Sequence, residues 1–172
     1  DLREANKSEY TSIDDYLGGL KIKLEVSELD EFSLPRASQM TQKTNQFNLT
    51  TNRYTETDLI SLQKSSSLIF TLSVSDRFGD SGLTGLIILK PSKKRQQSIL
   101  EIDTLLLSCR VLGRGIEKQF LITILNFLIN KGISQINAAY IKSERNDQVS
   151  NFYDSMGFEI QSKTETRINY IK

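Results

Sequence analysis

Polar and apolar residues alternate over 21–29 (KIKLEVSEL), which puts Ile22, Leu24 and Val26 on one face with the period of a strand. A helical period follows. Ser33 stands at an N-cap position with Pro35 in the first turn, and Leu34, Ala37, Met40 or Thr41, Thr44 and Phe47 recur on one face. Thr55 and Asp58 have the spacing of a capping box and open a second helix, to about Lys64. Two apolar runs, 67–75 and 82–90, flank the turn-rich DRFGDS and predict a hairpin. A strand is expected over 99–108. The helix predicted over 115–131 is apolar at 116, 120, 121, 124, 125, 127 and 128; so wide a stripe implies heavy burial, and Gly132 stops it. Residues 135–141 (QINAAYI) read as strand. Asn146 is placed to cap a helix over 147–155 that Gly157 ends. Strands near 158–162 and 165–171 complete the pattern. Residues 1–20 read as a connector in which Ser12 caps a short helix ended by Gly18 and Gly19.

The strand–helix–strand unit over 99–141 requires parallel strands and a crossover helix, whereas the hairpins are antiparallel. A mixed α/β sheet with helices on both faces is therefore expected, as one domain over 21–172.

Composition narrows the chemistry. Among 172 residues there is no histidine and one cysteine. That removes the commonest general base and metal ligand, excludes Ser-His-Asp and Cys-His machinery, and leaves no metal site to expect. Asp76 and Asp80 alone are too few for a calcium loop. A net charge of +1 provides no bulk attraction for nucleic acid or membrane. No apolar run approaches the roughly 20 residues of a membrane span. The lone thiol fits a reducing cytoplasm. A charged start without Met reads as part of a larger polypeptide.

Chemistry concentrates where the strand at 99–108 meets the following helix, at SCRVLGRG (108–115). A helix N-terminus exposes free N–H groups and the positive end of its dipole, and glycines let a phosphate approach closely. Arg110-Val111-Leu112-Gly113-Arg114-Gly115 thus reads either as a pyrophosphate cradle or as a tight turn. It has neither the Lys-Ser/Thr of a P-loop nor a dinucleotide-fold fingerprint.

This R-x-x-G-x-G motif and strand order, with Asn146, Tyr153 and Gly157-Phe158 further on, resemble the GNAT N-acyltransferase superfamily. The resemblance implies a mixed, mostly antiparallel twisted sheet flanked by helices. It implies that residues 110–115 hold the pyrophosphate of coenzyme A or of a pantetheine donor, with Arg114 adding a charge-assisted bond. Asn146 becomes a cofactor contact or a helix cap. Tyr153 becomes the acid that protonates a leaving thiolate, or a core aromatic. Three stretches, 42–56 (QKTNQFNLTTNRYTE), 75–85 (SDRFGDSGLTG) and 108–117 (SCRVLGRGIE), resemble more closely the C-terminal region of FkbH-like proteins, HAD-type glyceryl transferase/phosphatases that make glyceryl-carrier-protein thioesters for polyketide extender units. That family's N-terminal HAD half carries D-x-D-x-T/V, which this chain lacks. The resemblance thus implies a GNAT-like half whose partners are an acyl carrier protein and a preceding HAD-like domain.

Other residues carry paired readings. Cys109 is an acyl relay, or a buried inert thiol as most cysteines are. Glu101 and Asp103 alternate onto the face of Cys109, as a base or as a salt-bridged carboxylate. Gln42, Lys43, Asn45, Gln46, Asn48 and Arg53 supply amides and a cation suited to a hydroxylated acyl group. Lys93, Lys94 and Arg95 are a solvated loop or meet an acidic carrier protein. Three functions follow: an acyl or glyceryl transferase, a non-catalytic carrier-protein docking module, and an acetyl-CoA-dependent N-acetyltransferase, which an acid-lined acceptor cleft would favour.

Overall fold

The computed structural model describes residues 21–94 and 97–172; the connector with its short helix, and Arg95, lie outside them. In chain order the elements are β1 (Lys23–Glu28), α1 (Leu34–Lys43), β2 (Phe47–Asn48), α2 (Glu56–Lys64), β3 (Leu68–Asp76), β4 (Gly79–Pro91), β5 (Ile99–Leu107), α3 (Ile116–Asn130), β6 (Gln135–Ile141), α4 (Phe152–Ser155), β7 (Glu159–Lys163) and β8 (Arg167–Ile171). The capping box of α2 is present: Asp58 N donates to Thr55 Oγ1 (3.2 Å) and Thr55 N to Asp58 Oδ2 (2.8 Å). Ser33 does not cap α1 through its side chain. It is turned back onto Asp30, whose Oδ1 accepts from Ser33 N at 2.8 Å.

The strands form one sheet in the order β1-β3-β4-β5-β6-β8-β7, with β2 added on β5. Every pairing is antiparallel except β5 with β6, which α3 connects as the crossover. Helices cover both faces, as the hydrophobic pattern predicts. Phe120, Leu121, Ile124 and Leu128 of α3 share one core with Phe152, Tyr153, Phe158 and Tyr170. Ala37, Met40 and Leu59 of α1 and α2 share the other with Ile69, Leu86, Ile88 and Leu106. Gly85 lets α3 approach: a Cβ there would lie 3.0 Å from Leu72 Cβ and 3.4 Å from Phe120.

A bulge in β5 shapes the centre of the sheet. Ile88 faces Thr104 but Leu89 faces Ile102, so Asp103 is the extra residue. Side-chain parity flips there: Leu100 and Ile102 enter the α3 core, and so do Leu105 and Leu107. This corrects the expectation that Glu101 shares a face with Cys109. Glu101 instead shares the opposite face with Leu106. Six residues of strand at about 3.3 Å each also put it about 20 Å from Leu107, so it cannot act as a base at that end.

Beyond the bulge β5 and β6 separate, since their pairing covers only Ile99–Ile102 against Gln135–Ala138. The chain's own residues 47–50 fill the gap. Phe47 and Asn48 pair with Leu107 and Leu106. Leu49 N donates to Leu105 O (3.2 Å), and Ile141 N donates to Leu49 O (2.8 Å). Thr50 Oγ1 (2.7 Å) and Asn52 Nδ2 (3.2 Å) both reach the bulge carbonyl of Asp103. The segment leaves through Thr51 at φ 57, a left-handed conformation that a β-branched residue adopts only under constraint. Asn48 Oδ1, accepting from Thr51 N at 2.9 Å, holds it there.

Asn146 locks this insertion. It caps no helix: residues 147–149 form a 3-10 turn and α4 has four residues. Its Nδ2 donates to Asn48 O (2.9 Å) and Ile141 O (2.9 Å). Its Oδ1 accepts from Ser143 N (2.8 Å) and Tyr140 Oη (3.2 Å). Both amide protons and both lone pairs are used. A second tie sits at the bulge. Asp103 pairs with Lys90 (2.8 Å) and accepts from Tyr54 Oη (2.6 Å), so its salt-bridge reading holds. Burial and then the Asp103 carboxylate push Tyr54 up to about 12.

Asn146→Ala leaves two buried carbonyls and one amide without partners, at about 1–3 kcal/mol for each unsatisfied group. We expect at least about 3 kcal/mol lost in urea unfolding, with faster hydrogen exchange at Leu49 and Ile141; unchanged exchange would show that the insertion does not depend on Asn146. Tyr54 predicts a pH dependence. The folded chain keeps its proton to about 12, whereas the unfolded chain loses it near its ordinary value of about 10. Stability therefore falls as pH rises through that window. In Tyr54→Phe that fall should be shallower, and an identical slope would show that the tie does not hold the proton.

Candidate functional site

The polypeptide leaves β5 at Leu107 and makes a 3-10 turn, Cys109–Val111, which Ser108 caps through Oγ. Gly113 (φ 78) and Gly115 (φ 73) are left-handed, which glycine adopts without strain. A Cβ at either would meet nothing within 4 Å, so the space above the loop is open. Gly115 is the N-cap of α3, a helix of 15 residues, and no side chain caps it. Among the described residues the N–H groups of Gly113, Arg114 and Gly115 have no hydrogen-bond partner. Val111 is buried and Leu112 half-buried, so the loop is anchored by two apolar residues while its donors face open space.

The loop's arginines differ. Arg110 is exposed, with Nε 3.4 Å from Ser108 Oγ and Nη2 3.4 Å from Ser81 O. Arg114 pairs with Asp76 at 3.4 Å, and that carboxylate is 1% exposed. Its charge is answered inside the protein, against the expectation that it serves a ligand phosphate. Glu117 adds a carboxylate in the first turn of α3, with Oε2 buried and unpartnered.

Beside the loop, at the C-terminal end of β5, lies a cleft of about 320 Å³. Its walls are Arg36, Met40 and Lys43 of α1, residues 44–47, residues 107–109 and Arg145. Cys109 is exposed and lines the cleft, which corrects the reading of a buried thiol.

The amide-rich segment divides. Lys43, Asn45 and Gln46 line the cleft. Gln42, Asn48 and Arg53 do not, and each is a correction. Gln42 Nε2 is 3.3 Å from Tyr54 O. Asn48 is fully buried, its Nδ2 donating to Thr44 O at 3.1 Å. Arg53 donates to the carbonyls of Thr41 and Thr44 and so caps the C-terminus of α1. Backbone carbonyls accept from all three side chains, but Arg53 also donates to Asn45 Oδ1 and lines a second cavity that shares Asn45 and Arg145 with the cleft. Asn146 cannot touch a cofactor either, being fully buried with every hydrogen-bonding position filled. Sequence reading missed Arg36 and Arg145. A helical wheel places Arg36 on the face of Lys43, seven residues on; nothing local marks Arg145.

Tyr153 lies in the core, 1% exposed, its ring 5.0 Å from Phe158 and 5.4 Å from Tyr170. Its Oη is buried without a partner, and burial raises its pKa well above the ordinary phenol value. Such a hydroxyl stays protonated, but giving its proton to a thiolate is strongly uphill. This packing favours the core reading over the acid. Among the described residues no three His, Cys, Asp or Glu side chains gather as a metal group, and no helix is long and apolar enough to cross a membrane.

No protein-family model and no curated protein matches the chain. Solved structures do. The ribosomal-protein-S18-alanine N-acetyltransferase of Escherichia coli superimposes with a TM-score of 0.63 at 16% identity, over 87% of this chain and 91% of that one. The PaiA N-acetyltransferase of Thermoplasma acidophilum, solved with coenzyme A, gives 0.61 at 18%, over 87% and 98%. The aminoglycoside acetyltransferase AAC(6')-Ib, also solved with coenzyme A, gives 0.62 at 15%, over 87% and 94%. These are likenesses of fold: the chain has the fold of the GNAT N-acetyltransferases.

Proposed function

We propose that this domain binds a phosphopantetheine arm, as coenzyme A or on an acyl carrier protein, at residues 110–115, and assists transfer of the attached acyl or glyceryl group as a thioester. The observation that carries the reading is the loop: three unpartnered N–H groups beneath open space at the N-terminus of a long helix. Such a terminus binds phosphate through its backbone donors. Two neighbours of this fold, solved with coenzyme A, add support. The three FkbH-like stretches point to a carrier protein as partner and to a HAD-like domain in the same polypeptide.

Electrostatics favour a thiol over an amine as acceptor. Arg36, Lys43 and Arg145 line the cleft and no carboxylate does. An ammonium would be repelled there, and no histidine stands ready to deprotonate it. A thiol of ordinary pKa about 8.5 supplies some thiolate near neutral pH without a strong base. In thioester exchange the attacking sulfur bonds to the acyl carbon, the old carbon–sulfur bond breaks, and the leaving thiolate takes a proton from solvent.

The gap between β5 and β6, a direct route for an arm bearing two amides, is occupied by residues 47–50. The arm is therefore routed over Ser108 and Cys109 into the cleft. The same closed gap favours a second reading, a docking module that recognises the carrier protein while the chemistry occurs in another domain.

Calorimetric titration with coenzyme A and with a pantetheinylated carrier protein tests both. Micromolar binding of coenzyme A is expected for the cradle; binding of the carrier protein alone would select the docking module. Gly113→Glu should weaken coenzyme A at least about tenfold, since its side chain enters the open space and its charge opposes phosphate. Unchanged affinity, with the fold intact by circular dichroism, would remove the cradle.

A further inference from the structure

The cleft beside Cys109 gathers cations without carboxylates. Two half-buried cations elsewhere are paired, Arg114 with Asp76 at 3.4 Å and Lys90 with Asp103 at 2.8 Å, whereas the half-buried Arg36 of the cleft is not. At the cleft three cations from two elements converge with no carboxylate among the lining residues. Arg36 and Lys43 stand seven residues apart on α1, two turns along one face. Arg145 comes from the loop after β6. Among the described residues neither Lys43 nor Arg145 has an ion-pair partner, and Arg36 meets only the neutral Gln39 amide. Arg53 covers the carbonyls of Thr41 and Thr44, so the negative end of the α1 dipole is blunted where it would otherwise meet an anion. The floor is different. Met40, Phe47 and Leu107 form an apolar base suited to a short carbon chain.

Resting on the pantetheine reading, we infer that the cleft selects an acyl group that carries a negative charge, a carboxylate or a phosphate. The carbon chain lies on the apolar floor, and the anion sits between the α1 cations and Arg145. A neutral acyl group leaves the three cations repelling one another, whereas an anionic one offsets them through charge-assisted hydrogen bonds.

Malonyl-CoA and acetyl-CoA share the same arm and differ by one carboxylate. Calorimetry should show malonyl-CoA binding at least about tenfold tighter, the value of one charge-assisted bond at 1.4 kcal/mol per decade. In a double variant, Lys43→Glu with Arg145→Glu, the ratio should fall to about one. Both positions are exposed, and circular dichroism checks the fold. Equal affinities in the unaltered protein, or a ratio that survives the double variant, would overturn the inference. Failure of both thioesters to bind would remove the loop reading instead. Free malonate and inorganic phosphate then probe the cleft alone through backbone amide shifts at residues 43–47 and 145. Shifts that the double variant abolishes sustain the anion site, and the stronger probe separates carboxylate from phosphate. Absence of shifts with both anions would overturn it.

Discussion

The centre of this sheet depends on one extra residue. With Asp103 bulged out, β5 bends, its side-chain parity flips, and β5 and β6 part after four paired residues. Parted parallel strands expose unpaired backbone groups to the interior, a costly state unless something supplies partners. Here the chain does so with residues 47–50, and Asn146 completes the closure with four hydrogen bonds. Much of the amide-rich connection between α1 and α2 exists to serve that insertion.

This closure decides where a ligand can go. At a topological switch point in an open α/β sheet, ligands enter the crevice beyond the carboxyl ends of the strands. In this chain the crevice is taken at sheet level, so the accessible surface moves outward to the loop at 110–115 and the cleft between α1, residues 107–109 and Arg145. The loop contributes backbone donors and the exposed Arg110 guanidinium, whereas Arg114 is paired with Asp76. The cleft contributes cations without partners. Unpartnered backbone donors and unpartnered cations thereby lie on neighbouring but separate surfaces.

Much of the architecture is legible from local pattern. The capping box of α2, the wide stripe of α3 and the β3–β4 hairpin follow from short-range periodicity and capping chemistry, and their residues form the elements expected. The R-x-x-G-x-G hinge is likewise local, because both glycines take φ values that disfavour other residues. Side-chain roles are less legible. Gln42, Asn48, Arg53 and Asn146 are all capable ligands by residue type. Each instead satisfies backbone groups brought close by folding, across as many as 98 positions for Asn146 and Asn48.

By itself the sequence determined the order of elements, the parallel crossover, helices on both faces, the absence of histidine chemistry and the glycine hinge. Those properties depend on residue type and near neighbours. Tertiary structure alone decided that a bulge breaks the alternation along β5, that Glu101 stands far from Cys109, that the thiol is exposed, that Tyr153 is sealed in the core and that Arg36 and Arg145 flank one cleft. Each rests on contacts between residues distant in the chain, where burial and pairing, rather than residue type, set what a side chain is free to do.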